Sequence, residues 1–102
     1  MEIKCNDWIT VNIFINRKLK KETEKANLFS IPFNKGLSVW ISKKCIHGSR
    51  NNIYLGVGIK NNDEYNIWAY DNQKKIHFKK EVWKGYLLIN LYQKEWSIKG
   101  EK

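Results

Sequence analysis

Trp8-Ile9-Thr10-Val11-Asn12-Ile13-Phe14-Ile15 is the stretch whose reading decides the fold. Ile9, Val11, Ile13 and Ile15 recur at every second position, with Trp8, Thr10, Asn12 and Phe14 between them. Side chains of an extended chain alternate between two faces, so this period predicts a strand with one apolar, buried side. The same period governs Ile53 to Lys60, where Ile53, Leu55, Val57 and Ile59 share one face and Tyr54, Gly56, Gly58 and Lys60 the other. Two glycines on one face of a strand mark close backbone approach or strong curvature, as in a small barrel or a bent sheet.

Outward from these two strands, turn residues punctuate the chain at short intervals. Asn61-Asn62-Asp63-Glu64 reads as a turn into a strand from Tyr65 to Asp71, which predicts a hairpin with the strand ending at Lys60. Asp71-Asn72-Gln73-Lys74 is the next turn, and Lys75 to Lys79, with Ile76 and Phe78 inward, would complete a meander. Leu28 to Ile31 is a short strand ended by Pro32, the only proline, and Leu37 to Ser42 is another after Asn34-Lys35-Gly36. Arg17 to Ala26 reads either as a charged helical turn or as the start of the second strand. From Lys80 onward, Val82, Trp83, Tyr86, Leu87 and Leu91 follow three- and four-residue spacing, which predicts a C-terminal helix. Gly85 and Leu87-Leu88-Ile89 leave a buried strand as the other reading of residues 80–93. The expectation is one mainly β domain over residues 1–102, a single small antiparallel sheet or barrel of about six strands with a C-terminal helix.

The charge is lopsided in sign and in kind. Lys and Arg number 19 against 10 Asp and Glu, a formal charge of +9, yet 17 of the 19 are Lys. Lys, Asn and Ile together supply 42 of the 102 residues, and all three have adenine- and thymine-rich codons, so part of the lysine content follows from base composition. Arg presents a planar fork that reads base edges, whereas Lys is a mobile point charge; with Arg17 and Arg50 alone, sequence-specific readout is not expected. The net excess still favours an anionic partner, whether nucleic acid or an acidic protein surface. No apolar run approaches the roughly 20 residues that cross a bilayer, and Met1 to Asp7 lacks the apolar stretch of a signal peptide. A cytoplasmic protein with no membrane partner is expected.

Glu22-Thr23-Glu24-Lys25-Ala26-Asn27-Leu28, followed by Val39-Trp40-Ile41-Ser42-Lys43-Lys44, resembles a motif of small β-rich proteins from phages and mobile elements of low-GC Gram-positive bacteria. In that motif a Glu-Thr-Glu-Lys-Ala-x-Leu strand precedes a strand ending Trp-x-Pro-Lys; Ser42 stands here where the family has proline. The resemblance covers roughly a quarter of the chain and implies a strand from about Glu22. It also implies a genetic setting that includes host-defence inhibitors such as anti-CRISPR proteins. The expected partner is then a bacterial defence nuclease or another acidic protein surface, with RNA or single-stranded DNA as the alternative.

Catalytic patterns are sparse. The acids Glu2, Asp7, Glu22, Glu24, Asp63, Glu64, Asp71, Glu81, Glu95 and Glu101 are scattered and read as solvated surface, not as a cation-binding cluster. Cys5 and Cys45 form no Cys-x-x-Cys pair, and Cys45-Ile46-His47 offers two ligands at most, so neither a metal nor another cofactor is expected. His47 and His77 with neighbouring Lys are the minimum for a metal-free, toxin-type ribonuclease, which is the enzyme alternative. The binding reading has more material: Lys18, Lys20 and Lys21, then Lys43 and Lys44, Lys74 and Lys75, and Lys79, Lys80 and Lys84, with Trp40 and Tyr54 as exposed rings. Rings that stack on bases beside lysines that neutralise phosphate suit single-strand binding, and the same rings can anchor a protein interface.

Overall fold

The computed structural model describes residues 8–50 and 52–99, which form eight strands and one long helix. The alternating stretch becomes β1 (Trp8–Phe14), and the glycine-bearing stretch becomes β6 (Tyr54–Lys60). They pair antiparallel from Trp8 opposite Lys60 to Phe14 opposite Tyr54, and β5 (Ile46–Arg50) covers the other edge of β6. A second, five-stranded antiparallel sheet runs in the order β2 (Lys18–Glu22), β3 (Ala26–Ser30), β4 (Leu37–Ser42), β7 (Glu64–Asp71) and β8 (Ile76–Lys84). The helix α1 (Gly85–Lys99) closes the fold. The mainly β architecture with a C-terminal helix is as the sequence predicts, with the strands divided between two sheets.

The hairpin expected across Asn61–Glu64 does not form: β6 lies in the smaller sheet and β7 in the larger. Both edges of β6 are already paired, with β1 and β5, so no row of backbone groups is left for β7. The chain instead turns a corner between sheets. Asp63 N–H donates to the Lys60 carbonyl at 3.2 Å, and the Lys60 N–H donates to the Tyr65 hydroxyl at 2.9 Å. Arg17 to Ala26 resolves into a short 3₁₀ turn at Ile15–Arg17, then β2, then a tight turn into β3. The Thr23 hydroxyl accepts from the Ala26 and Lys25 N–H groups at 3.0 and 3.3 Å, so the segment the resemblance makes one strand is a hairpin turn.

Residues 80–93 also divide. β8 continues to Lys84, and the helix begins at Gly85, which approaches the corner so closely that a Cβ there would lie 1.9 Å from the Lys60 carbonyl oxygen. Its N–H donates to the Asp63 carbonyl at 2.8 Å and that of Tyr86 to the Asn61 carbonyl at 3.0 Å, so the corner caps two of the helix's free donors. The buried stripe of the helix is Gly85, Leu88, Ile89, Tyr92 and Glu95. This corrects the helical phase expected from Tyr86, Leu87 and Leu91, because Tyr86 and Leu87 are exposed. Ile76 and Phe78, expected inward, are 50 % and 42 % exposed. They pair with Asp71 and Ala69 near the β7–β8 turn, beyond the core that β7 enters at Ile67.

The core joins both sheets and the helix: Val11, Ile13, Leu55, Val57 and Ile59 meet Phe29, Ile31, Val39, Ile41 and Ile67 under Leu88, Ile89 and Tyr92. Each such side chain contributes about 1.5 to 3 kcal/mol when fully buried. The far end of the helix is held by charge. Glu95, 3 % exposed, accepts from Arg17 Nη2 at 2.6 Å and from Nε at 3.2 Å, while Arg17 Nη1 donates to the Ser30 hydroxyl at 3.1 Å. Tyr92 donates its hydroxyl to the Ser30 carbonyl at 2.8 Å, and burial raises its pKa far above the ordinary phenol value. Glu95 is thus a buried anchor and not the solvated acid expected.

Two stability predictions follow from these anchors. Gly85→Ala should lower the urea midpoint by the equivalent of about 3 kcal/mol, since the added carbon meets backbone that cannot move aside. Glu95→Gln should cost about 3 kcal/mol by leaving Arg17 partly buried without its counter-ion, and Arg17→Met combined with Glu95→Leu should recover most of that loss in the same measurement. A urea midpoint of Glu95→Gln equal to that of the unmodified chain would show that the pair is dispensable.

Candidate interaction surface

The candidate lysines fall into sets with different electrostatic states. Lys18 and Lys43 converge on Glu22 at 3.8 and 3.1 Å, tying the 3₁₀ turn Lys43–Cys45 to the edge strand β2. The hydrogen bond and charge of Lys43 hold the Glu22 carboxyl below its ordinary pKa. Lys84 reaches Glu64 at 3.8 Å and the Asn62 carbonyl at 3.3 Å. By contrast, Lys20, Lys21, Lys44, Lys74, Lys75, Lys79 and Lys80 have no carboxylate within ion-pair distance among the described residues. Free charge therefore concentrates on β2, on the β7–β8 turn and on β8, at opposite edges of the larger sheet, with Lys44 set apart beside the smaller sheet.

The β7–β8 turn is built to present its lysines. Asp71 Oδ1 accepts from the Gln73 and Lys74 N–H groups at 2.9 and 3.1 Å, and Lys75 takes a left-handed backbone, φ 58°, as its N–H donates to the Asp71 carbonyl. From that turn β8 runs along the sheet edge. Ile76, Phe78, Lys79, Lys80, Glu81 and Val82 are all exposed, with Ile76 and Phe78 on the face opposite His77 and its partner Tyr70, which is 39 % exposed.

The nominated rings are less free than expected. Trp40 meets Trp68 edge to face with centroids 6.0 Å apart, and Leu28, opposite Trp40 and fully buried, lies outside the main core cluster. Tyr54 meets Trp96 of the helix at 4.6 Å, with Phe14 on the same indole at 5.3 Å. Both rings are half-buried packing elements. Sequence reading missed Trp68 and Tyr70, which with His77, named there only as a possible catalytic base, continue the aromatic face of the larger sheet; Tyr70 and His77 meet tilted, with centroids 4.8 Å apart. Their alternate positions in β7 and β8 are the signal that pairs them. Burial first, and then repulsion from Lys21, hold the His77 pKa below its ordinary value.

The chemistry for catalysis is dispersed. His47 lies on the smaller sheet and His77 on the larger, and no three His, Cys, Asp or Glu side chains gather among the described residues. Cys45 and His47 line one cavity, where burial raises the thiol pKa and keeps it protonated at neutral pH. Cys5 lies outside the described residues, as does the side chain of Arg50. Arg17, the other guanidinium, is spent inside the fold on Glu95. No helix among the described residues is long and apolar enough to cross a membrane. Comparison with protein-family models, curated proteins and solved structures returned no match.

One pH dependence is set by His77. Its folded-state pKa is depressed, so the unfolded chain binds the proton more readily, and stability is full above the unfolded value near 6.5 and falls as pH drops through it. The urea midpoint should decline on acidification from neutrality, and His77→Gln should flatten that slope. An unchanged slope would assign the dependence to other groups.

Proposed function

We propose that this chain is a binding protein of phage or mobile-element origin that inhibits a bacterial defence nuclease, in the manner of an anti-CRISPR protein. The docking surface is the β7–β8 arm. The observation that carries this reading is the make-up of that arm, where Ile76 and Phe78 on one face and Tyr70 and Val82 on the other are exposed among Lys74, Lys75, Lys79 and Lys80, none of which has a carboxylate partner among the described residues, although Glu81 is exposed in the same strand. Exposed apolar side chains set among charges suit a protein interface, in which the side chains that become buried give affinity and the charges set approach and salt dependence.

A single-strand platform asks for open ring faces, and aliphatic side chains such as Ile76 and Val82 offer no stacking surface. Trp40 and Tyr54, the rings the sequence nominates for it, are engaged edge-on with Trp68 and Trp96. The larger sheet therefore favours a protein partner over a nucleic-acid strand. The genetic setting implied by the Glu22–Lys44 resemblance selects the class of partner.

The test uses the purified chain against a panel of purified CRISPR and restriction nucleases from low-GC Gram-positive bacteria, with DNA cleavage as readout. The expected outcome is stoichiometric inhibition of one of them, weakened about tenfold or more by Lys79→Glu with Lys80→Glu and also by Phe78→Ala. Cleavage by every nuclease at unchanged rates would overturn the proposal, as would inhibition that the three substitutions leave intact.

A further inference from the structure

The outer face of the smaller sheet carries a cleft that the docking reading leaves unused. Its floor is the middle strand β6 at Gly56 and Gly58, and its walls come from the two flanking strands. Thr10 and Asn12 line it from β1 and His47 from β5, with Trp8 and Lys44 at one end. Two adjoining cavities of about 370 and 320 Å³ share Thr10 and His47, each within the usual size of a small-molecule site.

The glycines are not required by the backbone. Neither has a positive φ, and a Cβ at Gly56 would make only ordinary contacts, 3.8 Å to Thr10 and 3.9 Å to His47. Glycine in the middle of a strand lowers stability relative to a residue with a side chain, and here that cost falls on the central strand of the sheet. What glycine provides at position 56 is an open floor, since a side chain there projects into the cleft, whereas Gly58 is buried and lets the Trp8 and His47 rings settle over the strand. At Gly58 the Trp8 ring and His47 Nε2 approach the same Cβ position at 3.4 and 3.5 Å, so indole and imidazole stand close together over it.

The lining has one chemical character. Trp8 is 52 % exposed, and the Lys60 ammonium sits 5.6 Å from its ring centroid, a cation–π contact that orients the indole. Lys44 and the imidazole of His47 supply N–H donors, Thr10 and Asn12 supply small polar groups, and no carboxylate lines either cavity. We infer that this cleft binds a nucleotide unit, its base against the Trp8 indole and its phosphate on Lys44 and His47. An exposed aromatic ring next to an unpaired lysine and an imidazole N–H donor matches a ligand with a planar ring and a negative charge, and a nucleotide is the class that joins the two. The unit is either a free nucleotide or one residue of a single strand, and both present the same base and phosphate.

The experiment is a titration of the whole ¹⁵N-labelled chain, following the Gly56 and Gly58 amide signals, with AMP, with a short single-stranded deoxyadenosine oligomer and with inorganic phosphate. Saturable shifts of both glycines with AMP are expected, and none with phosphate alone. A markedly tighter response to the oligomer assigns the source as a strand, and an equal one assigns free nucleotides. Trp8→Ala should weaken binding tenfold or more, about what one stacked base contributes. Gly56→Val should block it while leaving the melting temperature equal or higher, and Lys79→Glu with Lys80→Glu should leave it unchanged, which separates this cleft from the docking arm. Absence of glycine shifts at millimolar AMP, phosphate acting as well as AMP, or undiminished binding by Trp8→Ala and Gly56→Val would each overturn the inference.

Discussion

The approach of Gly85 to the Lys60 carbonyl is the constraint on which the rest of the fold depends. With only hydrogen on its Cα, Gly85 reaches the corner that ends β6, and its N–H and that of Tyr86 saturate the Asp63 and Asn61 carbonyls. With both edges of β6 already paired to β1 and β5, the corner cannot continue into a β6–β7 ladder. The chain crosses to the second sheet, and the helix that starts there lays Leu88, Ile89 and Tyr92 over residues from both sheets. Ten residues beyond Gly85, Glu95 closes on Arg17 and through it on Ser30. The helix is thus pinned at each end by directional polar contacts, and the apolar stripe between them contributes the bulk of the burial.

How much of this was legible depended on whether the signal was local. Period-two alternation is a local consequence of pleat geometry, so β1 and β6 are readable, and β4 matches its sequence bounds of Leu37 to Ser42. Which strand pairs with which is not local. The turn residues 61–64 suit a hairpin, and only the prior occupation of both edges of β6 by β1 and β5 forbids one. The helix phase failed for a related reason: its buried stripe starts with Gly85 and ends with Glu95, neither apolar, while Tyr86 and Leu87 mimic a second stripe that faces out. Glu95 has no sequence mark of burial, because its partner lies 78 residues earlier.

The net charge of +9 gains meaning only after the structure sorts it. A lysine beside Glu22 or Glu64 is part of an exposed ion pair of small energetic weight, whereas one without a partner contributes its full field to the surface. By this criterion Lys18, Lys43 and Lys84 leave the candidate surface and Lys20, Lys21, Lys44, Lys74, Lys75, Lys79 and Lys80 stay. The same sorting removes Arg17 from any role in recognition. The rings divide in parallel, with Trp40 and Tyr54 packed and Trp8 open, so the legible composition was right about the kind of residue and silent about which copy of it is available.

The edge strand β8 shows how an apolar surface is kept accessible without inviting aggregation. A nine-residue edge with exposed Ile76, Phe78 and Val82 would ordinarily template pairing with a second chain. Two features oppose it. The register with β7 shifts between Ile67 and Trp68, leaving Lys80 as an extra residue, and this irregularity exchanges the face on which alternate side chains fall. A straight partner strand cannot match both halves of β8 at once, so main-chain pairing along its length is interrupted at the middle. Lys79 and Lys80 then place like charges at the same point, which any copy of this chain would also bring. The edge is thereby opposed to indiscriminate strand addition while its side chains stay exposed.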